Sequence, residues 1–142
     1  MPASRFVFVV LAVAVVLAWG LPPGPSTTGS VEAGHDGQTP VLSVEYVRAQ
    51  YEKGRKLTAI DLRSLDEYRQ GHLPGALSLP LNELTTRFHE VPRTDLVVLY
   101  CECTPGEVEV AYTFLRRQQY RNLTVLGSSF KTWIERGFPI ER

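Results

Sequence analysis

The chain holds two thiols, Cys101 and Cys103, and both fall in the short run Cys101-Glu102-Cys103-Thr104-Pro105-Gly106-Glu107. Two cysteines with one residue between them make neither a disulfide framework nor the ligand set of a structural zinc. His35, His72 and His89 have no ligand spacing with them, so no metal and no cofactor is expected. Placement argues for reactivity instead. Asp95 to Tyr100 is the clearest strand in the sequence, and it leads directly into Cys101. In open α/β sheets reactive groups gather beyond the carboxyl ends of strands. Unpaired amides in a tight loop and at a helix start favour negative charge, so the loop Glu102 to Glu107 is expected to hold a thiolate or persulfide anion on Cys101. Such a thiolate can attack a sulfane sulfur. The alternative is that Cys101 merely ends a strand as a small apolar residue. Cys103 admits three readings: it resolves a persulfide on Cys101, it is a second nucleophile, or it is inert.

The elements that must position these thiols alternate along the chain. Ser43 can cap a short helix carrying Val44, Val47 and Tyr51, with Gly54 as terminator. Leu57 to Leu62 reads as a buried strand. Ser64 and Glu67 form a capping-box pattern for a second helix that stops at Gly71. Ala76 to Leu79 is a short strand, and Pro80 opens a helix with Leu81, Leu84 and Phe88 that Pro92 closes. After the cysteine loop, a helix buries Val108, Ala111, Tyr112 and Leu115. Leu123 to Leu126 is a further strand, and Phe130, Trp133 and Ile134 make a last amphipathic turn or two ending at Gly137. Strands alternating with short helices imply an α/β fold with a central parallel sheet covered by helices on both faces. This pattern puts Asp61 and Arg63 at a strand end, as a structural ion pair or part of an anion site. His72 reads as a turn-fixing side chain rather than an acid or base, and Gly71, Pro74 and Gly75 as turn punctuation.

Ahead of the domain, residues 6–19 carry no charge and follow Arg5, the pattern of an export signal. Residues 1–20 are therefore expected to be a signal peptide or an uncleaved membrane anchor, and the protein to work outside the cytoplasm, in the periplasm or an equivalent space. Residues 21–40, rich in Gly, Pro, Ser and Thr, read as a flexible linker, and residues 41–142 as the domain. The formal net charge of +0 supplies no field to gather nucleic acid.

The sequence resembles the rhodanese-like family from about Val44 to Ile140. The resemblance rests on Ala59-Ile60-Asp61-Leu62-Arg63-Ser64, on Gly71-His72-Leu73-Pro74-Gly75-Ala76, on Val97-Val98-Leu99-Tyr100-Cys101, and on Leu126-Gly127 with Trp133 and Gly137-Phe138-Pro139. It implies the rhodanese fold and a sulfurtransferase or persulfide carrier with Cys101 as the sulfur-accepting nucleophile. The implied partners are a sulfane-sulfur donor and a thiol acceptor, a protein thiol among the candidates. Arg63 and His72 belong to motifs near or bracing the active face, and Arg63 is the candidate to assist an anionic donor.

The loop departs from the common family pattern. No Arg or Lys lies between Cys101 and Leu115, and Glu102, Glu107 and Glu109 are expected round the thiol, so thiosulfate should be a weak donor. Cysteine phosphatases of similar fold use an arginine six positions after the cysteine; Glu107 stands there. Gly127-Ser128-Ser129 replaces the usual paired glycines. Two further functions fit these departures: a rhodanese module that binds without catalysis, and a thiol redox switch using Cys101 and Cys103.

Overall fold

The computed structural model describes residues 39–93 and 95–142. The region expected to direct export and most of the expected linker lie outside them. No helix among the described residues is long and apolar enough to cross a membrane.

The core is a parallel sheet of β1 (Val41–Leu42), β2 (Leu57–Asp61), β3 (Leu77–Ser78), β4 (Leu96–Tyr100) and β5 (Leu123–Leu126), in the order β1-β5-β4-β2-β3. Because successive strand residues point to opposite faces, the apolar strands divide their side chains between two cores. Ala59, Val98, Tyr100 and Leu126 meet Val44 and Val47 of α1 (Val44–Glu52) and Phe130 and Trp133 of α5 (Phe130–Glu135) on one face. Ile60, Val97, Leu99 and Leu123 meet Leu84 of α3 (Leu84–Arg87) and Ala111 and Leu115 of α4 (Pro105–Arg117) on the other. A parallel sheet covered on both faces is what the unbroken apolar strands require.

Local signals set most helix ends. The Ser43 hydroxyl accepts the Tyr46 amide at 3.1 Å, and Gly54 and Gly137 turn the chain with φ of 62° and 68°. At α2 (Leu65–Gln70) the Ser64 hydroxyl accepts the Glu67 amide at 3.3 Å, while the Glu67 carboxylate accepts the Ser64 amide at 3.0 Å. The Ser64 hydroxyl and amide hold the Glu67 carboxyl below its ordinary value. Ser64→Ala should therefore cost about 1 kcal/mol in urea unfolding at pH 7. A lowered carboxyl contributes above its unfolded pKa and loses that contribution as pH falls through the folded one. The deficit of the variant should accordingly shrink below the ordinary glutamate range.

The structure differs from the sequence reading in three places. The helix expected from Pro80 starts only at Leu84 and passes into a 3-10 turn, Phe88–Glu90; the residues between Pro80 and Leu84 close instead on tight three-residue bonds, the Glu83 amide on the Pro80 carbonyl at 2.8 Å and the Leu84 amide on the Leu81 carbonyl at 3.4 Å. Ile134 is half exposed, on the outer side of α5. Strand β1 was not expected. Its Leu42 carbonyl accepts the Gly127 amide at 2.7 Å, and the preceding Pro40 carbonyl accepts the Val125 amide at 2.9 Å. A side chain at Gly127 would meet Val41 at 2.6 Å, so glycine there lets the edge strand close on the sheet.

Candidate functional site

Connections leave β2 and β4 in opposite directions along the sheet, toward β3 and β5, so the crevice beyond their carboxyl ends is the topological switch point. Asp61 ends β2 and Tyr100, its register partner, ends β4. Cys101 follows at once.

Beneath this end lies a buried polar cluster. Asp61 is fully buried and Arg63 is 7% exposed. The Arg63 guanidinium donates from Nη2 to Asp61 Oδ2 at 2.5 Å, from Nε to Oδ1 at 2.9 Å, and from Nη2 to the Gly71 carbonyl at 2.8 Å. It stacks over the Phe130 ring at 4.0 Å from its centroid. The Tyr100 hydroxyl donates to Asp61 Oδ2 at 2.6 Å and accepts the Leu73 amide at 3.2 Å. Burial and the Asp61 carboxylate push the Tyr100 phenol well above its ordinary value, so it remains a donor. A buried carboxylate needs such partners on several sides. Of the two readings of the Asp61 and Arg63 pair, the geometry is that of an ion pair whose cation is already occupied.

His72 is likewise committed. Its Nδ1 donates to the Tyr68 carbonyl at 2.9 Å, its ring stacks on Tyr68, and its backbone bridges to Glu141. Neither Arg63 nor His72 lines the cavity beside Cys101.

That cavity, about 530 Å³ and open to solvent, has Tyr100, Cys101 and Cys103 on one side. Val41, Pro105, Val108, Val125 and Leu126 give it apolar walls, and Ser128, Ser129 and Glu109 add polar groups. No arginine or lysine of the described residues lines it. Of the three carboxylates expected round the thiol, only Glu109 does. Glu102 instead reaches the Lys131 amide at the start of α5, at 2.6 Å. Glu107 turns back on Thr104, accepting its amide and hydroxyl at 2.8 Å each, and the amide foremost holds the Glu107 carboxyl below its ordinary value. Thr104 and Glu107, expected in the anion loop, thus cap α4, a role the Thr-x-x-Glu spacing could have signalled. Pro105 is the first residue of α4 and Gly106 follows it, both exposed.

Cys101 and Cys103 are joined by a disulfide, with Cα atoms 5.2 Å apart. The Cys103 amide donates to Cys101 Sγ at 3.1 Å. Sequence reasoning missed the roles of Tyr100, as partner of Asp61, and of Val41 and Val125 in the cavity wall. A tyrosine at the end of an otherwise aliphatic strand was the signal for the first; the second depends on strand pairing.

A family model described as Rhodanese-like domain matches residues 43–136. A sulfurtransferase of Allochromatium vinosum is 32% identical over 81 residues, which cover 57% of this chain and 75% of that protein. YrkF of Bacillus subtilis is 23% identical over 94 residues, 66% of this chain, and the chain spans 50% of its length. Among solved structures, thiosulfate sulfurtransferase from Pseudomonas aeruginosa aligns with a TM-score of 0.62 and 28% identity over 72% of this chain and 20% of that one. A rhodanese-related protein of Thermoplasma volcanium shares the fold, with a TM-score of 0.59 and 22% identity over 71% of this chain and 96% of its own. The matched segment takes in α1, the strands that end at Asp61 and Tyr100, and α5, so this chain belongs to the rhodanese-like domain family.

Proposed function

We propose that the protein is a sulfurtransferase or persulfide carrier of the cell envelope, with the sulfur carried on Cys101. One observation bears most of the weight. Cys101 directly follows a central strand at the wall of an open cavity, and a loop amide donates to its sulfur. With the disulfide reduced, the Cys101 thiolate attacks a sulfane sulfur, and the donor's leaving group departs with the bonding pair. The Cys103 amide then faces the anion that has formed. A thiol acceptor attacks the outer sulfur and returns the thiolate. The sulfurtransferase relatives support this reading, and the apolar run of residues 6–19 supports export, by a cleaved signal or by anchorage to the membrane.

The cavity favours uncharged organic persulfides, small or on a protein, over thiosulfate, because Glu109 opposes a dianion and no cation lines the wall. Glu109→Gln should raise kcat/KM for thiosulfate roughly fivefold at low salt, leave an uncharged persulfide donor unaffected, and lose its advantage at high salt. Equal effects on both donors would remove the electrostatic explanation. The transfer reading itself is tested by intact-mass analysis of the reduced full chain carrying Cys103→Ser, which leaves Cys101 as the sole thiol, after exposure to thiosulfate, mercaptopyruvate or glutathione persulfide. A gain of one sulfur that maps to Cys101 is the expected result, and no gain with any donor would overturn it.

A further inference from the structure

The Cys103 thiol, unlike its amide, takes no part in the transfer cycle just described, and Cys103 belongs to neither hydrophobic core, although Cys101 packs against one of them. Its sulfur is nevertheless bonded to Cys101. The loop bend that sets the Cys103 amide on Cys101 Sγ also carries the Cys103 side chain round to the same atom. Both residues are partly exposed on one cavity wall, where a reducing thiol can reach them.

We infer that Cys103 is a resolving thiol, which discharges the Cys101 persulfide within the loop and makes the chain a sulfane-sulfur reductase that releases hydrosulfide. This rests on the persulfide reading of Cys101. The Cys103 thiolate attacks Cys101 Sγ, the inner sulfur of the persulfide. The bond between Cys101 Sγ and the outer sulfur breaks, and the outer sulfur leaves as hydrosulfide, taking the electron pair and the proton shed by Cys103. The Cys101–Cys103 bond forms in the same step, so the sulfane sulfur is reduced by two electrons and the two cysteine sulfurs are oxidised by two. The bonded pair in the structure has the connectivity that this step produces. A dithiol reductant of the kind borne by disulfide-exchange partners then attacks the pair, becomes a disulfide itself and restores both thiols. Because attack is intramolecular, it competes with external acceptors at high effective concentration.

The test loads the reduced full chain with glutathione persulfide, removes excess donor and reductant rapidly, and follows hydrosulfide, together with intact mass after alkylation in denaturant. Wild type should release one hydrosulfide per chain and end with both cysteines closed to alkylation. Cys103→Ser should keep the added sulfur on Cys101 and release hydrosulfide at least about tenfold more slowly, until an external thiol is added. The wild-type rate should not change with protein concentration, and one addition of dithiothreitol should permit a second round. A persulfide as long-lived in wild type as in Cys103→Ser, or a release rate proportional to protein concentration, would overturn the resolving role while leaving the carrier reading intact. No sulfur gain on Cys103→Ser and no hydrosulfide from wild type would overturn both.

Discussion

Cys101→Ser is expected to abolish sulfur loading and to lower transfer from any donor by at least about a thousandfold, to the level of the uncatalysed reaction. Serine keeps the size of the side chain but presents a hydroxyl, which is un-ionised at neutral pH and a poor nucleophile toward sulfur. Sulfur taken up by a carrier of this kind must also remain bonded to sulfur, and serine supplies none. Cys101 is only partly buried and packs at the margin of one core, so the substitution should leave the thermal midpoint close to wild type. The measurement is kcat/KM for a persulfide donor together with intact mass. Uptake at the wild-type rate would eliminate Cys101 as the carrier, and uptake mapped to Cys103 would identify that residue as the nucleophile.

The second large effect concerns stability. Arg63→Met should destabilise the domain by about 3–5 kcal/mol, lowering Tm by more than about 12 °C, because the fully buried Asp61 carboxylate would lose its cation. The Tyr100 hydroxyl would still donate to Asp61, but one neutral donor does not replace a two-point guanidinium contact. Arg63→Lys should fail nearly as badly, since an ammonium can neither span both carboxylate oxygens nor stack flat on Phe130. Combining Asp61→Leu with Arg63→Met should recover part of the loss, because no unpaired charge then remains buried. At a temperature where the single variant is folded, its KM for thiosulfate should match wild type, since Arg63 lines no part of the cavity. A raised KM with unchanged Tm would instead place the guanidinium in the donor site. The two substitutions are thus opposites, one removing chemistry from a sound fold and the other removing stability from a sound site.

The parts of the fold written in local chemistry were legible. Ser43 and Ser64 cap where their spacing predicts, Leu123 to Leu126 forms the strand read from its apolar run, and Gly137 closes α5. What failed was not written in the apolar pattern. The helix expected from Pro80 starts late because the turn after it closes on three-residue hydrogen bonds. Strand β1 exists because β5 offers it an edge, and two residues carry too little pattern to announce themselves. Among the acidic residues, net charge near the thiol misled in the same way. Glu102 and Glu107 are close in sequence, but each carboxylate is turned to a backbone amide, and Glu109 alone of the three lines the cavity.

By itself the sequence determined which atoms can react and the order of the elements that carry them. Thiol identity, strand-to-loop placement and helix caps are properties of residues a few positions apart, whose interactions form whatever the rest of the chain does. The tertiary structure decided how those groups are spent: Arg63 on Asp61, Glu102 on the Lys131 amide, and Cys103 on Cys101. Such partnerships turn on ångström distances and on exclusion of water, and spacing along a chain encodes neither until the sheet has closed.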